Sequence, residues 1–132
     1  MISRSAFALI VFAACGCASA QSCPSGLKPM TEVELIFGRD IAGRASVSDA
    51  DWQDFLDREI TPRFPDGLTV EDASGQWKGA TGIVREKSKR LTIIVSDGAA
   101  EEAKLAAIRE AYKARFRQDA VLQTESPACV SF

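Results

Sequence analysis

Thr31-Glu32-Val33-Glu34-Leu35-Ile36-Phe37 is the stretch that decides the fold. Val33, Leu35 and Phe37 fall on one face and Glu32, Glu34 and Ile36 on the other. This is the period of two expected of a half-buried strand. Gly38-Arg39-Asp40 ends it. A loop with Gly43 leads to Ser48, an N-cap with Asp51 in the N3 position of a capping box. Trp52, Phe55, Leu56 and Ile60 then share one face of a helix, which Pro62 stops.

Pro65-Asp66-Gly67 reads as a turn, and Leu68-Thr69-Val70-Glu71 alternates again. The parity then changes, since Ala73, Gly75 and Trp77 continue on the other register; a β-bulge near Asp72 is the expected cause. Gly79 and Gly82 mark a turn. Leu91, Ile93 and Val95 alternate in the next strand, which Ile83-Val84 begins early. Asp97-Gly98 opens a second helix over residues 99–116, with Leu105, Ile108, Tyr112 and Phe116 as its apolar stripe. Val121-Leu122-Gln123-Thr124 forms a last strand before Pro127.

The order is strand, helix, strand, strand, helix, strand. It predicts an α+β, ferredoxin-like βαββαβ domain, with a four-stranded antiparallel sheet and two helices on one face. The spatial strand order is then fourth, first, third, second. That order brings the end of the last strand beside the start of the first. Cys23 and Cys129 flank this end, so the topology predicts a Cys23–Cys129 disulfide.

Residues 1–20 carry one charge, Arg4, then an apolar run over residues 6–14 and Ala18-Ser19-Ala20 before Gln21. These features read as a cleaved secretory signal. A second reading takes Phe12-Ala13-Ala14-Cys15 as a loose lipoprotein box, which would give a lipid-anchored envelope protein. The expected organisation is a signal over 1–20, an N-terminal tail over 21–30 and one α+β domain over 31–132. Its expected location is periplasmic or secreted, an oxidising setting in which a cysteine pair is a disulfide. The mature chain has no second apolar run, so no transmembrane span is expected in it.

The 132 residues include 16 Lys+Arg, 18 Asp+Glu and no histidine. With Arg4 removed, fifteen basic residues face eighteen acidic ones, a balance of −3 that leaves no footprint for nucleic acid or an anionic membrane surface. The missing histidine removes the usual general base, the commonest metal ligand and every Ser-His or Cys-His pair. No metal site and no cofactor are expected.

Several motifs are distinctive: Leu35-Ile36-Phe37-Gly38-Arg39, Val47-Ser48-Asp49-Ala50-Asp51-Trp52, Thr61-Pro62-Arg63-Phe64-Pro65-Asp66-Gly67-Leu68-Thr69, Gly75-Gln76-Trp77, Arg85-Glu86-Lys87-Ser88-Lys89 and the ending Ser126-Pro127-Ala128-Cys129-Val130-Ser131-Phe132. Together they resemble a bacterial family of secreted proteins known as domain of unknown function 3574. The resemblance implies an exported setting over nearly the whole mature chain. It brings no catalytic residue or cofactor to carry over.

In the expected topology one end of the sheet gathers Arg39 and Asp40, Trp77, Glu86 and Lys87, a candidate ligand-binding cluster. Arg39 can hold a carboxylate or phosphate bidentately, Glu86 or Asp40 can act as a base, and Trp77 can stack a ring. Surface ion pairs over a partly buried tryptophan are the plainer reading. Residues 61–67 read either as a rigid binding loop or as a turn with Phe64 packed inward. The sheet face without helices carries Ile36 and Ile94, with Thr92 near them. It becomes a contact surface for a second subunit or a ligand if these are contiguous with Leu122 or Trp77.

Two functions follow. The first is a non-enzymatic envelope module that binds a small molecule or envelope protein, with a homodimer through the open sheet face as one form. The second is a small cofactor-free enzyme of isomerase or hydrolase type using the Arg/carboxylate cluster.

Overall fold

The computed structural model describes residues 22–41 and 46–132. The expected signal, the alternative lipid box and Gly43 lie outside the described residues. β1 is Lys28–Gly38, α1 Asp49–Phe55, β2 Thr69–Gly79, β3 Gly82–Val95, α2 Gly98–Phe116 and β4 Leu122–Val130. All strand pairs are antiparallel, and the sheet order is β2-β3-β1-β4.

The core lies on the face expected from the alternation. Val33, Leu35 and Phe37 are fully buried, beside Ile93 and Leu91 of the neighbouring strand. Both helices cover this face. Phe37 meets Trp52 of α1 at 5.1 Å and Tyr112 of α2 at 4.8 Å between ring centroids, and Phe55 meets Tyr112 at 5.1 Å. Tilted and edge-to-face pairs at such spacings add about 0.5–1.5 kcal/mol each beyond the area they bury. Tyr112 also donates its hydroxyl to the Gly38 carbonyl at 2.8 Å, which ties α2 to the end of β1. Burial pushes the Tyr112 phenol well above its ordinary range, so it stays protonated and donating.

Ser48 caps α1 by accepting from Asp51 N at 3.1 Å, while its hydroxyl donates to Asp51 Oδ2 at 2.6 Å. The helix does not run on as an α-helix. It widens into a π-helical turn over Leu56–Ile60, closed by Thr61 N donating to Leu56 O at 2.9 Å. Asp97 caps α2 by accepting from Ala99 N, and Arg117 ends it in the left-handed conformation, φ 53°.

Three expectations need correction. There is no bulge at Asp72: β2 and β3 pair one to one from Thr69↔Thr92 to Gly79↔Gly82. The apparent change of parity has another cause. β1 accompanies β3 only as far as Gly38↔Ser88, so residues 74–87 leave the core as a two-stranded arm whose other face carries Gly75 and Trp77. The N-terminal tail is shorter than expected, because Lys28, Pro29 and Met30 already pair with Val130, Cys129 and Ala128. The last strand is longer, and runs through Pro127. Edge position allows this, since a proline there lacks an N–H that no neighbour needs. Cys23 and Cys129 form the expected disulfide, with Cα atoms 5.6 Å apart and a separation of 106 in sequence.

Candidate functional site

β1 ends where the chain must turn towards α1, and the polar residues expected to form a site meet there. Arg39 N donates to Lys87 O at 3.0 Å, and Val47 N donates to Arg39 O at 2.8 Å. The Arg39 side chain folds back on the same closure: Nε and Nη2 donate to Val47 O at 2.8 and 2.5 Å. Its Nη1 pairs with Asp49 at 3.0 Å and lies 4.0 Å from Asp72. Asp40 N donates to Glu86 Oε1 at 3.1 Å, and Asp40 O accepts from Gln118 Nε2 at 2.8 Å.

Glycine at position 38 makes the Glu86 contact possible. A Cβ there would lie 2.2 Å from Glu86 Oε1. Arg39, Asp40, Glu86 and Lys87 are thus brought together. Trp77 shares the face of Glu86 but stands two residues further out, opposite Val84 on the arm and 55 % exposed. The Arg39 guanidinium and one Glu86 oxygen, expected to meet a ligand, are engaged instead with Val47 O, Asp49 and Asp40 N. The Asp40 carboxylate and the Lys87 ammonium make no ion pair or side-chain hydrogen bond among the described residues.

Lys89 is the member of this region that sequence reasoning missed. It lies opposite Phe37 on the core face, in line with Leu91 and Ile93. Its Nζ reaches Asp72 at 2.6 Å and Asp49 at 3.2 Å. The two cations are largely enclosed, with side chains 12 % exposed for Arg39 and 10 % for Lys89, whereas both carboxylates are about four-fifths exposed. The hydrogen bond from Lys89, then the charge of Arg39, holds the Asp49 carboxyl below the usual range. The bond to Asp72 raises the Lys89 ammonium despite its burial. A lysine in phase with the apolar residues of a strand was the available signal.

A second feature lies on the other side of the β2–β3 pair. β2 starts opposite Thr92, so the outer edge of β3 at residues 93–95 has no strand beside it. The loop over residues 61–68 borders that edge and leaves a groove of about 980 Å³. Phe64, Leu68, Met30 and Ile94 supply its apolar lining. The π-helical turn sets the wall: Arg63 N and Phe64 N both donate to Ile60 O, which turns Phe64 inward. Lys104 lies over the Phe64 ring at 5.6 Å and pairs with Glu101 at 2.7 Å, while Arg63 pairs with Glu59 at 2.9 Å. Gly67, at φ 147°, permits the turn into β2.

On the open sheet face Ile36 is contiguous with Leu122, one of the two contacts on which a contact surface depended, whereas Trp77 stands apart on the arm and Ile94 is not joined to them. Ile36 lies opposite Leu122 on one side and Arg90 on the other, whereas Ile94 lies opposite Glu32, four residues along β1. Arg90 pairs with Glu34 at 3.5 Å and Glu71 at 3.7 Å, and this charged row separates the two isoleucines.

No curated protein matches the sequence. Among solved structures, a phage SAM lyase in complex with S-methyl-5'-thioadenosine superposes with a TM-score of 0.60 at 12 % identity, covering 85 % of this chain and 95 % of that one. A phage SAM lyase in the apo state gives 0.57 at 14 % identity, covering 86 % and 97 %. CutA from Synechococcus elongatus PCC7942 complexed with Bis-Tris gives 0.48 at 8 % identity, covering 77 % and 83 %. At these identities the lyase likeness shows a shared fold and nothing of the chemistry. The family described as "Protein of unknown function (DUF3574)" matches residues 32–132, and the chain belongs to that family.

Proposed function

We propose that this protein is an exported, non-enzymatic binding module whose groove beside the uncovered edge of β3 takes a small, largely apolar molecule. The observation that carries the reading is the pairing of that groove with the state of the charged cluster. The groove offers an apolar lining of Phe64, Leu68, Met30 and Ile94, rimmed by cations already neutralised by Glu101 and Glu59. Its volume lies at the upper end of the range of ligand pockets, roughly 300–1,000 Å³. The Arg39 and Glu86 groups that a catalytic reading needs are instead bound to Val47 O, Asp49 and Asp40 N. Export is supported by the signal-like N-terminus and by a disulfide that closes the domain. No helix among the described residues is long and apolar enough to cross a membrane.

The test is amide-shift mapping of the labelled protein against a library of small apolar fragments. Shifts should cluster at Phe64, Leu68 and Ile94. Shifts confined to Arg39, Asp40 and Glu86 would overturn the assignment of the site.

The second reading is a small cofactor-free enzyme, and one observation favours it: a solved structure that shares the fold over most of both chains is a lyase. In that reading the Asp40 carboxylate and Lys87 remain available near Glu86. Incubation with S-adenosylmethionine, with chromatography for S-methyl-5'-thioadenosine, separates the two. Release above the spontaneous rate would favour the enzyme; none is expected from a binding module.

A further inference from the structure

We propose that the arm formed by residues 74–87 docks the protein, tip first, on an anionic phospholipid surface. The arm has no role in the core: β1 accompanies β3 no further than Ser88, and beyond it, among the described residues, only Lys87 O and the Glu86 carboxylate, at the base of the arm, bond outside the β2–β3 pair, to Arg39 N and Asp40 N. It nevertheless carries large apolar side chains in water. Trp77 is 55 % and Ile83 59 % exposed. They lie on opposite faces of the ribbon, because Trp77 pairs with Val84 and Ile83 with Lys78. A protein partner seated on one face would leave the other in water. An interface that receives the ribbon end-on covers both.

The charges are arranged to match. Lys78, Arg85 and Lys87 share one face of the ribbon, and Glu86 is the arm's single acid. None of the three cations forms an ion pair among the described residues, whereas Arg39, Arg58, Arg63, Lys89, Arg90 and Arg109 all do. The arm therefore carries +2 on a chain of formal charge −2. A negative surface attracts the arm and repels the rest, which orients the approach.

Depth follows from strand geometry. At roughly 3.3 Å per residue, Trp77 and Val84 lie within about 7 Å of the turn, and Arg85 and Lys87 about 10–17 Å from it. Apolar groups at that depth, with cations behind them at the phosphates, match the shallow insertion, about 5–10 Å, of interfacial segments. Lys78, nearer the tip, reaches the phosphates by snorkelling. The unpaired backbone along both edges of the arm needs water or headgroups and so forbids deeper entry.

The exported, disulfide-bonded protein is mixed with vesicles of equimolar phosphatidylglycerol and phosphatidylcholine, and separately with pure phosphatidylcholine vesicles. Binding is read by co-sedimentation and by tryptophan emission. Trp52 is buried in the core, so a blue shift reports Trp77. Binding to the anionic vesicles at low salt, lost at high salt and accompanied by that shift, is the expected result. Lys78→Glu with Arg85→Glu should weaken it by more than tenfold, on the order of fivefold per cation removed. Trp77→Ala should weaken it too, and neither variant should move the melting temperature. No binding at low salt, equal binding to phosphatidylcholine, or undiminished binding by either variant would overturn the proposal. Binding to polyglutamate but not to vesicles would overturn it in favour of an acidic protein partner. Ligand binding in the β3 groove is unaffected by any of these results.

Discussion

Removing the Cys23–Cys129 bridge should cost this domain a large share of its stability. The two residues are 106 apart in sequence, so the bridge closes almost the whole domain. In the chain-entropy account, closing a loop of that length in the unfolded chain is worth about 4.8 kcal/mol at 25 °C. The folded state shows little that would offset this. Cys129 lies opposite Pro29 in the β1–β4 pairing, and Lys28↔Val130 continues it, so the strands already bring the two ends together. The double variant Cys23→Ser/Cys129→Ser should keep the fold and lose about 4–5 kcal/mol. Domains of this size have about 5–15 kcal/mol in total, so the loss is between about a third of that stability and nearly all of it. Urea denaturation followed by far-UV circular dichroism measures it. With a slope of about 1.3 kcal/mol per molar, the midpoint should fall by roughly 3–4 M. A fall below about 0.5 M would refute the reasoning, because the unfolded chain would then gain almost no freedom from losing the bridge.

Gly38→Ala should displace the Glu86 carboxylate from Asp40 N, since the added Cβ occupies its place; a loss of about 1 kcal/mol in thermal unfolding is expected, and it should vanish in a Glu86→Ala background. Tyr112→Phe removes the 2.8 Å bond to Gly38 O and leaves that carbonyl without its partner, at a cost of about 1–2 kcal/mol by the same assay. Acid should destabilise the protein through Asp49, Asp54 and Glu102, whose carboxyls are all held below their ordinary values, first by hydrogen bonds from Lys89, Arg115 and Arg109. A lowered folded value gives stability that is present above the unfolded carboxylate value, near pH 4, and is lost as pH falls through the folded one. Melting temperature should therefore fall below pH 4, and Asp49→Asn with Asp54→Asn should flatten that fall.

Where local pattern and tertiary context agree, the fold was readable in advance. Val33, Leu35 and Phe37 alternate because one sheet face is core, and Leu105, Ile108, Tyr112 and Phe116 repeat because α2 lies on it. The Ser48 cap and the strand order follow from residues close together in sequence or from the rules of short connections. What escaped depends on how far one strand accompanies another. The arm exists because β1 stops at Gly38, opposite Ser88, and the groove exists because β2 starts at Thr69, opposite Thr92. Neither limit is written in periodicity. Arg39 was readable as an anion binder from its type alone. Its engagement with Val47 O and Asp49 depends on the return of the chain to α1, which no motif announces. Lys89 looked like one more charge in a basic run, though it shares its phase with Leu91 and Ile93.

The claim that the β3 groove holds a ligand is tested most directly by native mass spectrometry of the protein isolated from the exporting cell, beside its Ile94→Glu variant. Ile94 lines the groove and is only half buried, so the variant should fold. The account predicts a non-covalent small-molecule adduct on the unmodified protein that the variant lacks. An unmodified protein with no adduct, or an adduct that survives Ile94→Glu, would contradict it.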